Sequence, residues 1–79
     1  MSREDVVECV KNCISEIMDI DASSIDTSES LRDLGANSID RMDIIVTAME
    51  KIGVKTEMMA FAKLKNINEI IDVLYSKVK

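Results

Sequence analysis

Apolar residues recur at helical spacing in three stretches of the chain. Over residues 3–19, Val6, Val7, Val10, Cys13, Ile14, Ile17 and Met18 fall on one face at about 100° per residue. Arg3 apart, the charged residues of that stretch stay off the apolar stripe, which predicts an amphipathic helix. A second helix is predicted to start at Asn37 or Ser38, both good N-caps, and to run to about Ile52, with Gly53 as its stop. Its expected buried stripe is Ile39, Met42, Ile45, Val46, Met49 and Ile52. Ile44 falls on the opposite side, with Asp40, Thr47, Ala48 and Lys51 around it. The last helix is predicted to start at Asn66, with Glu69 three residues on in a capping-box-like pattern. Its core face is Ile67, Ile70, Ile71, Leu74, Tyr75 and Val78. Residues 56–62, with Met58, Met59 and Phe61, suit one short helical turn.

Between the first two helices, residues 20–37 are polar and turn-rich, interrupted by Ile25, Leu31 and Leu34 as anchors into a core. Loops of this length in small domains tend to be functional or disordered, and the anchors favour order. A positive φ is expected at Gly35, one of two glycines. No segment alternates with period two, so strands are not expected. The predicted fold is all-α: a small four-helix bundle of three long helices and one short one, with a long first loop, as a single domain over residues 1–79.

Composition narrows what such a bundle can do. A chain of 79 residues buries only about 60–65% of the surface its unfolded form exposes, which leaves little room for an enclosed catalytic pocket. With one Phe, one Tyr and no Trp, stacking on bases or sugars is not expected. No apolar run approaches the ~20 residues that cross a bilayer. The start, Met1 to Asp5, lacks the basic and apolar regions of a signal peptide. The expectation is a cytoplasmic monomer without nucleic-acid or membrane partners. Cys9 and Cys13, one helical turn apart, suit a disulfide poorly and are expected to be reduced at the edge of the core. A metal site would need further soft ligands, and the chain has no His.

The net charge of −5 is unevenly spread: residues 1–50 carry 4 basic and 12 acidic groups, residues 51–79 carry 6 basic and 3 acidic. The acidic half repels nucleic-acid phosphates and attracts basic protein surfaces, and it equally serves as a solvated face.

The absences exclude most catalytic classes. Without His, neither a Ser-His-Asp nor a Cys-His arrangement can be assembled. There is no Gly-x-Ser-x-Gly and no phosphate-binding glycine loop. Asp19-x-Asp21-x-Ser23 imitates the opening of a calcium-binding loop. The required glycine and bidentate glutamate positions, however, hold Ser24 and Ser30. No catalytic residue and no metal ligand is assigned.

The positive signal is Asp33-Leu34-Gly35-Ala36-Asn37-Ser38-Ile39-Asp40, which sets a serine hydroxyl where a loop becomes a helix. A hydroxyl there is reachable by another enzyme, and the free N–H groups of a helix start favour a phosphate nearby. Asp33, Asp40 and Asp43 add acidic handles for a basic modifying enzyme. A serine at a helix start is also commonly structural.

The stretch Leu34-Gly35-Ala36-Asn37-Ser38-Ile39-Asp40 resembles the acyl carrier protein signature, Leu-Gly-x-Asp-Ser-Leu-Asp, and the helix layout matches that family over essentially all 79 residues. The resemblance implies a phosphodiester from Ser38 to 4′-phosphopantetheine, whose terminal thiol holds acyl groups as thioesters. It also implies a carrier that is itself no enzyme. Asn37 stands where the family usually has Asp, and Arg41 follows Asp40 where many relatives are neutral. The second helix carries a balance of only −1, against the far more acidic second helix of fatty acid carriers. Gly-Ala-Asn-Ser-Ile-Asp-Arg, then Ile44-Ile45 and Thr47-Ala48-Met49-Glu50, resembles the free-standing donor carriers of bacterial polyketide β-branching cassettes.

That resemblance implies four partners: a phosphopantetheinyl transferase, an acyltransferase that loads malonyl, a decarboxylating ketosynthase that leaves acetyl, and a condensing enzyme like HMG-CoA synthase. Recognition is expected from Asn37, Ile39, Asp40, Arg41, Asp43, Ile44 and Ala48, with Ile44 as an exposed apolar anchor. The expected core includes Ile14, Ile45, Val46, Met49, Ile70, Ile71 and Leu74. A general fatty acid, D-alanyl or peptidyl carrier is the alternative within the class. A helical adaptor with an unmodified Ser38 is the alternative outside it.

Overall fold

The structure is a computed structural model that describes residues 1–57, 61 and 64–78. Its long elements are α1 (Arg3–Met18), α2 (Ser38–Ile52) and α3 (Ile67–Val78), with a 3₁₀ turn at Ala22–Ser24. Among the described residues there is no strand. The short helix expected over 56–62 falls largely outside the described residues, Met58 and Met59 included, while Phe61 is buried.

Each helix begins where its capping chemistry directs. Ser2 and Asp5 form a reciprocal capping box at the start of α1. The chain leaves that helix through Asp19, at φ 56°, the left-handed conformation in which Asp is among the better tolerated residues. Helix α2 ends at Gly53, φ 84°, whose N–H donates to the Met49 carbonyl. At α3 the Asn66 side chain accepts the Glu69 N–H at 2.9 Å. The Glu69 carboxylate reaches the Lys65 N–H rather than that of Asn66, so the expected box is displaced by one residue.

The long connection is ordered by three anchors and two backbone bonds. Ile25 and Leu31 are buried and Leu34 is partly buried, as their spacing suggested. Ile67 and Asn68, whose N–H groups have no acceptor within the first turn of α3, donate to the carbonyls of Glu29 and Thr27, both at 2.9 Å. These bonds tie the loop to the start of α3 and deliver the chain to Ser38. Gly35 takes φ 93°, as expected, and Ala36 is buried while its N–H donates to the Leu31 carbonyl at 3.0 Å.

The core is shared by Val6, Val10, Cys13 and Ile14 of α1, Ile44, Ile45 and Ala48 of α2, and Ile67, Ile70, Ile71 and Leu74 of α3. Helix α2 packs mainly on α1, and α3 also lies against α1. This corrects the expected phase of α2. Ile44 is wholly buried and Ala48 nearly so, whereas Val46 is 37% exposed, Met42 54% and Ile39 69%. The cause lies in α2 itself, whose apolar residues cover more than one face. The face that carries Ile44, Ile45 and Ala48 is the one buried. Ile14, Ile45, Ile70, Ile71 and Leu74 are buried as expected, and Met49 is half-buried.

Cys9 and Cys13 are free thiols one helical turn apart on α1. Cys13 is fully buried; burial, then the neighbouring Cys9, pushes its thiol up to about 11.

Candidate functional site

Ser38 is the first residue of α2 and is exposed. Asn37, extended at φ −81° and ψ −178°, caps the helix: its Oδ1 accepts the Asp40 N–H at 2.8 Å, and the Asp40 carboxylate accepts the Asn37 N–H at 3.5 Å. The capping role therefore goes to Asn37, and the Ser38 hydroxyl makes no hydrogen bond among the described residues. The N–H groups of Ser38 and Ile39 have no acceptor among the described residues either. An unengaged hydroxyl beside two free N–H groups, at the positive end of α2, suits a phosphodiester.

The site opens on a cavity of about 790 Å³ between the loop Ser30–Asp33, the first turns of α2 and the approach to α3. Leu31, Met42, Ile45, Phe61, Leu64 and Ile70 supply its apolar wall. Arg32, Arg41 and Lys65 contribute three cations, and Asp33 one carboxylate. Asp33 is engaged locally: its carboxylate accepts the Ser30 N–H at 3.1 Å, and its own N–H donates to the Ser30 hydroxyl at 3.0 Å.

Of the residues expected to meet partners, Asn37, Ile39, Arg41 and Asp43 are exposed around Ser38, and Asp40 is half-buried in its cap. Ile44 and Ala48 are withdrawn from that surface, since both are buried in the core. The exposed apolar side chains of α2 are instead Ile39, Met42 and Val46, at positions i, i+3 and i+7 of one face. All three belong to the stripe expected to be buried, although the spacing of Met42 and Val46 from Ile39 marks a stripe of their own. No short-range signal connects Arg32 and Lys65 with the site. They reach it through the bonds between the loop and α3.

The family model for the phosphopantetheine attachment site matches residues 8–74. The chain is an acyl carrier protein. The carrier is 31% identical over 80 residues to the polyketide biosynthesis acyl-carrier-protein AcpK of Bacillus subtilis, covering 100% of this chain and 98% of AcpK. It is 30% identical over 78 residues to the acyl carrier protein of Thermotoga maritima, covering 98% and 96% of the two chains. Among solved structures it is similar to a chain in the crystal structure of the curacin biosynthetic pathway HMG synthase in complex with acetyl donor-ACP. That match has a TM-score of 0.82 and 32% identity and covers 100% of both chains.

The carrier holds 4′-phosphopantetheine covalently and is not itself an enzyme. When bound, that group supplies a thiol on which acyl groups ride as thioesters. The exposed, unengaged hydroxyl of Ser38 and the free N–H groups beside it fit its phosphodiester end. Among the described residues no group of side chains is arranged to ligate a metal, and no helix is long and apolar enough to cross a membrane.

Proposed function

We propose that this carrier holds an acetyl group on an arm attached to Ser38 and presents it to an HMG-CoA-synthase-like enzyme of polyketide β-branching. On this reading a phosphopantetheinyl transferase installs the arm and an acyltransferase loads malonyl. A decarboxylating ketosynthase leaves the acetyl, and the carrier works as a cytoplasmic monomer. The observation that carries the reading is the surface of α2 beside Ser38. It presents Ile39, Met42 and Val46 with Arg41 among them, where fatty acid carriers present a run of carboxylates. Similarity over the whole chain to a donor carrier bound to an HMG synthase, and to a polyketide carrier, supports the same conclusion. An apolar stripe supplies contact energy to a partner and the flanking charges set orientation, so the recognition surface is Ile39, Met42 and Val46 with Asn37, Asp40, Arg41 and Asp43 around it.

Two measurements test this in sequence. Incubation of the apo protein with coenzyme A and a promiscuous phosphopantetheinyl transferase should add the mass of one arm, and Ser38→Ala should add none. Acetyl-loaded carrier should then transfer acetyl to an HMG synthase of a β-branching cassette faster than to a condensing enzyme of fatty acid synthesis. Equal or reversed rates would return the protein to the general carriers. Failure of the arm to attach would favour the adaptor.

A further inference from the structure

The cavity beside Ser38 has a charge opposite to that of the chain around it. The protein carries −5 overall, yet three of its basic side chains, Arg32, Arg41 and Lys65, converge on this one cavity. They come from three separate elements: the long loop, α2 and the approach to α3. The ion pairs among the described residues are Arg3 with Asp72 and Lys51 with Glu16, so all three cations of the cavity are left without an acidic partner. The one carboxylate on the lining, Asp33, already accepts the Ser30 N–H. Below the cations the wall is apolar, with Leu31, Ile45, Phe61 and Ile70 all buried.

We propose that Arg32, Arg41 and Lys65 form a carboxylate-holding rim, and that the occupant of the cavity is the carrier's own acyl group when that group ends in a free carboxylate, the malonyl class of half-thioester. This rests on the attachment at Ser38 and names the cargo that the site retains. A phosphodiester on Ser38 occupies the helix N-terminus and the N–H groups of Ser38 and Ile39. The cations, spread from α2 across to Lys65, remain for a second negative charge. A thioester folded back from Ser38 lays its methylene against the apolar wall and its carboxylate among the cations, where the low-polarity surface strengthens each attraction. A neutral acetyl offers the rim nothing. The site therefore keeps a carboxylated acyl group close to the protein and lets go of the same group once the carboxylate has been removed, so that the decarboxylated cargo is the one free to enter a partner.

The test uses full-length carrier loaded enzymatically from malonyl- and butyryl-coenzyme A, the second being neutral and of similar length. Cleavage of each thioester by hydroxylamine is timed and divided by its rate on free pantetheine. The malonyl form should be protected about threefold relative to the butyryl form, the size expected of charge pairs near a surface. The protection should vanish in Arg32→Gln/Arg41→Gln/Lys65→Gln and in ~1 M NaCl, where the screening length falls to ~3 Å. Each single Gln variant, with circular dichroism as the check on folding, should lose part of it. NMR shifts at the three cations that appear with the unloaded arm and are identical for both cargoes would overturn the proposal, because the rim would then read the phosphodiester alone. Equal protection of both thioesters would overturn it as well. An arm that fails to attach, or attaches to Ser38→Ala, identifies the different failure, that of the Ser38 assignment.

Discussion

Helices α2 and α3 have similar apolar content and opposite manners of using it. In α3 the aliphatic side chains turn inward: Ile67, Ile70, Ile71 and Leu74 are all buried. In α2 they divide, with Ile44, Ile45 and Ala48 in the core and Ile39, Met42 and Val46 facing solvent beside Ser38. Helix α3 serves the fold, and its Ile70 also lines the cavity beside Ser38. Helix α2 serves the fold with one face and leaves a second apolar face exposed. Each residue of that stripe would stabilise the protein more if covered, so the proposed contact surface lies where the fold gains least.

The division can be broken first at the core. Ile44→Ala in α2 and Leu74→Ala in α3 should each lose ~2–5 kcal/mol in urea unfolding, a large share of what a small domain possesses. A wild-type midpoint for Ile44→Ala would mean that α2 has been assigned the wrong inward face. The opposite face should behave in reverse. Ile39→Ala and Met42→Ala should change stability by less than ~0.5 kcal/mol while slowing acetyl transfer to the cognate synthase about tenfold, measured on chemically loaded carrier so that arm attachment is bypassed.

A smaller effect tests where the helices agree. Asn37 and Asn66 both accept the N–H three residues on, at 2.8 and 2.9 Å, so Asn37→Ala and Asn66→Ala should each cost about 1 kcal/mol and by similar amounts.

The smallest effect lies in the loop that feeds α2. The hydroxyl and backbone N–H of Ser28 donate to the Asp26 carboxylate and hold its pKa below 3.8. A carboxyl depressed on folding adds stability above its unfolded value, and that stability is lost as pH falls below 3.8 through the folded value. Ser28→Ala should move Asp26 back towards 3.8 in an NMR titration and lower stability slightly at neutral pH, with the difference from wild type vanishing in acid.

Much of this architecture was legible in the sequence because local chemistry dictates it. Asn37 and Gly53 bracket α2 as their capping preferences require, Gly35 adopts its positive φ, and the face of α3 follows from a single unbroken stripe. The inward face of α2 was not legible. Periodicity reports the apolar positions, and with two stripes present it cannot say which one a neighbouring helix will cover. In the structure the covered stripe is the one with Ile44, Ile45 and Ala48. Ser38 stands out in the sequence by its motif. The cations around it do not, because Arg32 and Lys65 meet only after Ile67 and Asn68 have bonded to Glu29 and Thr27.

The thiol of Cys13 has a consequence for the fidelity of the cargo. Thioesters exchange with any thiolate that can reach them, and a carrier that holds its load by sulfur always risks losing it to its own cysteines. Cys13 is fully buried, with its thiol pushed up to about 11, so at neutral pH it stays almost wholly protonated and out of reach. The protein thereby closes off one internal acceptor to which an acyl group would otherwise leak on its way to a partner.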